Sequence, residues 1–193
     1  FQHVFVDEYQ DTDPGQVALL RAIAGDGRNI VAVGDPHQSI YAFRGAEVRG
    51  ILEFPTAFAQ ADGSPADVVA LRTTRRFGPR ILLASQRVAG RIGLPGTIPE
   101  QARESFLAPT CAPGPYGDGR VDVLTFDTDR AESENLADIL RRAHLEEGIG
   151  WDEMAVLVRS GRASIGPLRR ALGAAGVPVE VASDEVPLVR DPA

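Results

Sequence analysis

The sequence predicts an α/β protein built on parallel sheets, and three observations carry that expectation. Short apolar runs end in acid-bearing loops, amphipathic helical segments separate those runs, and the alternation resumes after a stretch dense in Pro and Gly. His3 to Val6 is such a run and ends at Asp7 and Glu8, as a buried parallel strand does when its carboxyl end opens onto a ligand crevice. Asp13 then suits an N-cap, Pro14 the first helical position and Gln16 the third residue of a capping box. Val17, Leu19, Leu20 and Ile23 supply the apolar face of that helix, and Gly25 and Gly27 are expected to end it. Residues 29–33 form the second strand, so strand, helix and strand make one parallel crossover. Ligands of open α/β sheets bind outside the carboxyl ends of the strands, which brings Asp7-Glu8 and Gly34-Asp35 to one place.

Residues 60–68 and 108–119 are polar or rich in Pro and Gly and are expected to be linkers or surface loops. Between them, residues 78–92 carry helical periodicity through Ile81, Leu82, Ala84, Ser85, Val88 and Ala89. Beyond them the pattern predicts a strand at 121–126, a helix at 131–147, a strand at 154–158, a helix at 165–175 and a strand at 177–181. Leu136, Ile139 and Leu140 on one helix and Leu168 and Leu172 on the other would pack onto a second parallel sheet.

Composition excludes several classes. In 193 residues, 44% are hydrophobic and 24% charged, and no apolar run approaches the ~20 residues of a membrane span. No membrane partner is expected. The lone Cys111 cannot pair within the chain, which fits a reducing, cytoplasmic setting and excludes a cysteine-rich zinc framework. The chain starts at Phe1 with no basic-plus-apolar leader, so no signal peptide is expected and the sequence has the look of an internal segment. All 20 basic residues are arginine. A phosphate-gripping loop of the G-x-x-x-x-G-K-[ST] kind needs a lysine, so none lies in this sequence. The formal charge of -7 argues against a wholly basic nucleic-acid-binding domain but leaves room for a local groove.

Two segments carry the chemistry. The first is Val6-Asp7-Glu8-Tyr9-Gln10-Asp11-Thr12, where two carboxylates sit at a strand end. An aspartate there can hold Mg²⁺ and its neighbour can take a proton from an attacking water. Standing alone, the same acids suit a loop that merely ends a strand and caps a helix. The second segment runs from Val33 through Gly34-Asp35-Pro36-His37-Gln38-Ser39-Ile40-Tyr41-Ala42-Phe43-Arg44 to Gly45-Ala46. His37 occupies a position that reads as solvent-exposed loop.

Together, in this order and one crossover apart, the two segments resemble motifs II (D-E-x-Q-D) and III (G-D-x-x-Q-S-I-Y-x-F-R-G-A) of the UvrD/Rep/PcrA-like superfamily 1 DNA helicases. A third, more divergent likeness is Leu71-Arg72-Thr73-Thr74-Arg75-Arg76-Phe77, set against the family's motif IV, L-x-x-N-Y-R-S. The resemblance implies Asp7 and Glu8 as Mg²⁺ carboxylates, with Glu8 also the base that activates water for ATP hydrolysis. It implies Gln38 as the sensor of the γ-phosphate and Arg76 as the arginine reaching that phosphate across a cleft, where a fixed guanidinium stabilises charge in phosphoryl transfer. Arg75 replaces a tyrosine that stacks on adenine; a guanidinium plane can also stack on a base. Tyr41, Phe43 and Arg44 match the DNA-facing end of motif III, with Phe43 where many relatives have tryptophan. Gln10, Asp11 and Asp35 would couple the two motifs.

The implied fold is parts of two RecA-like parallel-sheet domains with flanking helices: residues 1–69 the carboxyl-terminal part of the first, 70–183 the amino-terminal part of the second, and 184–193 the start of an inserted subdomain. The implied activity is ATP-dependent, Mg²⁺-dependent translocation on single-stranded DNA with unwinding at duplex junctions, in DNA repair or recombination. Two other readings share these motifs: the motor of a helicase-nuclease subunit of the AddAB, AdnAB or RecB-like kind with a second subunit as partner, and a non-catalytic helicase-like scaffold. Without the phosphate-loop lysine, the 193 residues alone are expected to be inactive.

Overall fold

The structure is a computed structural model that describes residues 3–24, 29–114 and 117–181. The expected glycine stop at Gly25 and Gly27 and the subdomain start at 184–193 lie outside these residues. The chain divides into two compact units, Phe1–Val121 and Asp122–Ala193. Position 70 falls inside the first of them.

In the first unit, strand β1 (Val4–Val6) pairs in parallel with β2 (Ile30–Ala32) in the register Val4 to Ile30, Phe5 to Val31 and Val6 to Ala32. Three further bonds extend the ladder: Val4 N–H to Asn29 O, Val33 N–H to Val6 O and Tyr9 N–H to Val33 O. The last of these carries the pairing past both strand ends into the loops. Helix α1 (Pro14–Ala24) makes the crossover. Its capping box is reciprocal: the Gln16 N–H donates to Asp13 Oδ1 at 2.8 Å and the Asp13 N–H to Gln16 Oε1 at 3.0 Å. Val17, Leu20 and Ile23 are half-buried, whereas Leu19 points to solvent. Because side chains alternate across a strand, the paired Phe5 and Val31 share the exposed face of the sheet.

Helix α2 (Arg49–Ala57) follows, an element the sequence pattern did not single out. Its Leu52 and Pro55, with Phe58 just beyond, are buried, as are Tyr9 and Ala46, and the Tyr9 ring meets Phe54 and Phe58. Strand β3 (Thr73–Thr74) pairs in parallel with β4 (Thr110–Cys111), and α3 (Pro79–Ala89) and α4 (Glu100–Leu107) lie between them in sequence. Strand β4 corrects the expectation of an unbroken loop at 108–119. The Pro and Gly that dominate that stretch flank Thr110 and Cys111, a β-branched residue and a small apolar one that can sit in a ladder.

The second unit holds α5 (Asp129–Glu147) and α6 (Gly161–Ala174). The Thr128 hydroxyl oxygen caps α5 by accepting the Ala131 N–H at 3.1 Å, and Gly148, at φ 72°, ends it in the left-handed conformation that glycine adopts without penalty. Ala137, Leu172 and Val177 form the core, with Leu140, Trp151 and Ala175 packed against it. The expected strands at 121–126, 154–158 and 177–181 are not strands. Val123 and Leu157 are 88% and 93% exposed, so neither backbone ladder nor side-chain cover is present there. A strand forms only with a partner for its N–H and C=O groups, and apolar periodicity does not report whether a partner is at hand.

Candidate nucleotide and DNA site

The site begins where β1 stops. Asp7 and Glu8 are exposed just past the strand, and Glu8 adopts φ 50°, ψ 42°, a left-handed backbone uncommon outside glycine. The Glu8 N–H donates to Asp7 Oδ1 at 3.0 Å. A single 3-10 turn, Tyr9–Asp11, follows, closed by the Thr12 hydroxyl donating to Tyr9 O at 2.7 Å. Tyr9 anchors this turn. Its ring is fully buried, edge-on to Phe54 and Phe58 with centroids 5.1 and 6.4 Å away. Burial pushes the Tyr9 phenol above its ordinary pKa, opposed by the nearby Arg21 charge, and its hydroxyl has no hydrogen-bond partner among the described residues.

Gln10, 1% exposed, joins this turn to the loop after β2. Its Oε1 accepts the Asp35 N–H at 3.0 Å, its Nε2 donates to Glu8 Oε2 at 2.6 Å and to Asp11 Oδ2 at 3.3 Å, and its carbonyl accepts from the Ser39 hydroxyl at 3.3 Å. Gly34 lies close against the first loop. A Cβ there would stand 2.5 Å from Gln10 Oε1 and 2.8 Å from Ile51 Cδ1, which explains why glycine precedes Asp35.

Asp35 organises the second loop. Its Oδ1 accepts the His37 N–H and its Oδ2 accepts from Gln38 Nε2, both at 2.8 Å, around the 3-10 turn Pro36–Gln38. His37 is half-buried against Phe106, ring centroids 5.0 Å apart, rather than exposed; packing by α4, distant in sequence, accounts for the difference. Farther along, Arg44 lies over both Tyr41 and Phe43, 5.2 and 5.5 Å from their centroids, at cation-π distance. Phe43 is 75% exposed and Ile40 is 68% exposed, so this end of the loop offers an aromatic and apolar surface to solvent.

Arg75 and Arg76 follow the carboxyl end of β3, as Asp7-Glu8 follow β1 and Gly34-Asp35 follow β2. Both are exposed, and the Arg76 N–H reaches Thr74 Oγ1 at 3.5 Å. Among the described residues, no hydrogen bond or ion pair joins either arginine to Asp7, Glu8 or Gln38. The structure therefore brings Glu8, Gln10, Asp11, Asp35 and Gln38 into one network with Asp7 beside it, and holds Tyr41, Phe43 and Arg44 as a second group. Tyr9, Ser39 and Phe106 complete the surroundings without having been singled out in the sequence, alongside Gly34, which had been. Only Gly34 carried a local signal, a glycine between a strand and an acid.

The donor chemistry suits a magnesium nucleotide. Mg²⁺ in phosphoryl-transfer sites is held by one or two carboxylates, the rest of its shell being phosphate oxygens and water. Asp7 Oδ2 and Glu8 Oε1 are carboxylate oxygens on exposed residues, with no partner among the described residues.

Residues 1–59 match the UvrD/REP helicase N-terminal domain family. That stretch holds both strand-end loops, and the match supports the likeness to the UvrD/PcrA-like helicases. It is 29% identical to the ATP-dependent DNA helicase PcrA of Staphylococcus epidermidis over 160 residues, 83% of this chain and 20% of that protein. It is 41% identical over 88 residues to the ATP-dependent DNA helicase PcrA of Bacillus subtilis, 46% of this chain and 11% of that protein. The Staphylococcus aureus PcrA is 39% identical over 88 residues. The chain thus spans about a fifth or less of the length of these relatives.

Proposed function

We propose that the full-length protein containing this chain is an ATP-driven motor that moves along single-stranded DNA and unwinds duplex, in repair or recombination. The observation that carries this reading is the hydrogen-bonded joint between the acid pair after β1 and the loop after β2, a loop that continues into an exposed aromatic and arginine group. One continuous loop then has a nucleotide end, at Gln38, and a base-stacking end, at Tyr41 and Phe43. Stacking suits movement without sequence preference, since every base has a π-face worth ~1 to 3 kcal/mol.

In this reading Asp7 would hold Mg²⁺ with help from Glu8, and the ion supplies charge neutralisation at the β- and γ-phosphates when bound. Glu8 accepts the proton of the water that attacks the γ-phosphoryl group. Gln38 reads the γ-phosphate through its side-chain amide. Arg76 offsets charge that develops on the phosphoryl oxygens, and Arg75 stacks on adenine. The domain assignment 1–69, 70–183 and 184–193 belongs to the same proposal: two motor domains meet with ATP between them. None of these 193 residues is lysine, so in this reading a lysine that grips the phosphates would have to come from elsewhere in the full-length protein.

The test is hydrolysis of ATP by the full-length protein with and without single-stranded DNA. DNA-stimulated hydrolysis is expected from the full-length protein and none from the 193 residues alone. Turnover by the pure 193-residue chain, or hydrolysis indifferent to DNA in the full-length protein, would remove the reading.

A further inference from the structure

We infer that Gln10 is a positioning residue that holds the general base in register with the loop after β2, so that the state of that loop sets the position of the Glu8 carboxylate. The inference deepens the proposed function and rests on Glu8 acting as the base.

The case is geometric. An amide side chain has one acceptor oxygen and one two-proton donor, and both groups of Gln10 are used in a nearly water-free position: Oε1 toward Asp35 N–H, Nε2 toward Glu8 and Asp11. The partners fix the amide's orientation. Turned by 180°, it would set its donor against the Asp35 N–H and its oxygen against two carboxylates. Being buried, it has no water to exchange for either partner, so moving one end breaks bonds at the other. Gly34 closes the remaining side, since even a methyl group there would press on Oε1.

Three bonds in series therefore run from Gln38 to Glu8: Gln38 Nε2 to Asp35 Oδ2, Asp35 N–H to Gln10 Oε1, and Gln10 Nε2 to Glu8 Oε2. The series begins at the residue proposed to meet the γ-phosphate and ends on one oxygen of the proposed base. The other oxygen, Glu8 Oε1, has no partner among the described residues and is left for a water. Glu8 itself stands on a left-handed backbone, a conformation that surrounding structure must hold in place. Gln10 supplies that hold directly, two residues away.

The test is a double-variant cycle in the full-length protein, read by single-turnover and steady-state ATP hydrolysis with saturating single-stranded DNA. Gln10→Met keeps the length of the side chain and removes donor and acceptor together. It is expected to lower kcat about tenfold or more, the low end of what an ill-placed base forfeits, while KM for ATP moves less than about threefold. DNA stimulation should shrink with it. In a Glu8→Gln background the same change is expected to do little further, because the carboxylate it positions is already gone. Equal fractional losses in both backgrounds, or an unchanged kcat in folded Gln10→Met, would overturn the inference. If Gln10→Met does not fold, Gln10→Glu serves: it keeps volume and the acceptor for Asp35 N–H, loses the donor to Glu8, and should show the same loss of kcat. Full turnover by folded Gln10→Glu would equally overturn it. Failure of the underlying reading is distinguishable, since Glu8→Gln alone would then retain wild-type turnover.

Discussion

Residues 3–39 and residues 122–181 carry the same written pattern of apolar runs alternating with amphipathic helices, and they fold differently. In the first stretch the two runs are joined by one crossover helix and find each other, and the ladder continues beyond both strands through Tyr9 N–H to Val33 O. In the second, the helices α5 and α6 form and pack through Ala137, Leu172 and Val177, but the runs beside them make no ladder. A helix satisfies its own backbone, whereas a strand borrows satisfaction from a neighbour. Periodicity therefore located all four expected helices and was right about strands only where the partner lay one crossover away.

The difference can be broken at its most sensitive point in the helical stretch. Leu172→Ala removes the largest buried aliphatic side chain of that core and is expected to cost about 3 kcal/mol, within the range for large-to-small changes. Trp151 is the only tryptophan of the chain and packs against this core, stacked on His144 at 4.0 Å. Its fluorescence in a denaturant titration isolates this unit. An earlier unfolding midpoint is expected, and an unchanged midpoint would mean that the helices are held by something other than this cluster.

Tyr9→Phe sharpens the other side with a smaller effect of opposite sign. The buried Tyr9 hydroxyl has no partner among the described residues, so its removal should leave stability at neutral pH unchanged or raise it by about 1 kcal/mol. The pH dependence follows from burial raising the phenol's pKa in the folded state. The folded chain keeps the proton while the unfolded chain loses it, so this contribution is intact below about pH 10 and is lost as pH rises beyond it toward the folded value. No lysine titrates in that range to mask it. Unfolding titrations from pH 8 to 11 should show a shallower alkaline decline for Tyr9→Phe. An identical decline would show that the phenol is not buried in solution.

Much of the candidate site was legible in the residues themselves, because the acid pair, Gln38 and the aromatic end of the loop occupy fixed spacings on two linked motifs. What was not legible depends on contacts far apart in the chain. His37 is half-buried because α4 brings Phe106 to it, and Tyr9 is buried because α2 presents Phe54 and Phe58. Strand β4 was hidden within a stretch of turn residues, since two ladder positions are too few to show a period. Arg75 and Arg76 stand at the end of β3, a strand the sequence pattern did not single out, and nothing within the described residues connects them to the acids. The roles proposed for them rest on a partner geometry that ATP itself would complete.

The central claim, that the strand-end acids next to the Asp35 loop hydrolyse ATP, is tested most directly by Glu8→Gln in the full-length protein. Steady-state hydrolysis with single-stranded DNA should fall about 100-fold or more, as loss of a general base requires, with nucleotide binding retained. Equal turnover by wild type and Glu8→Gln would contradict the account.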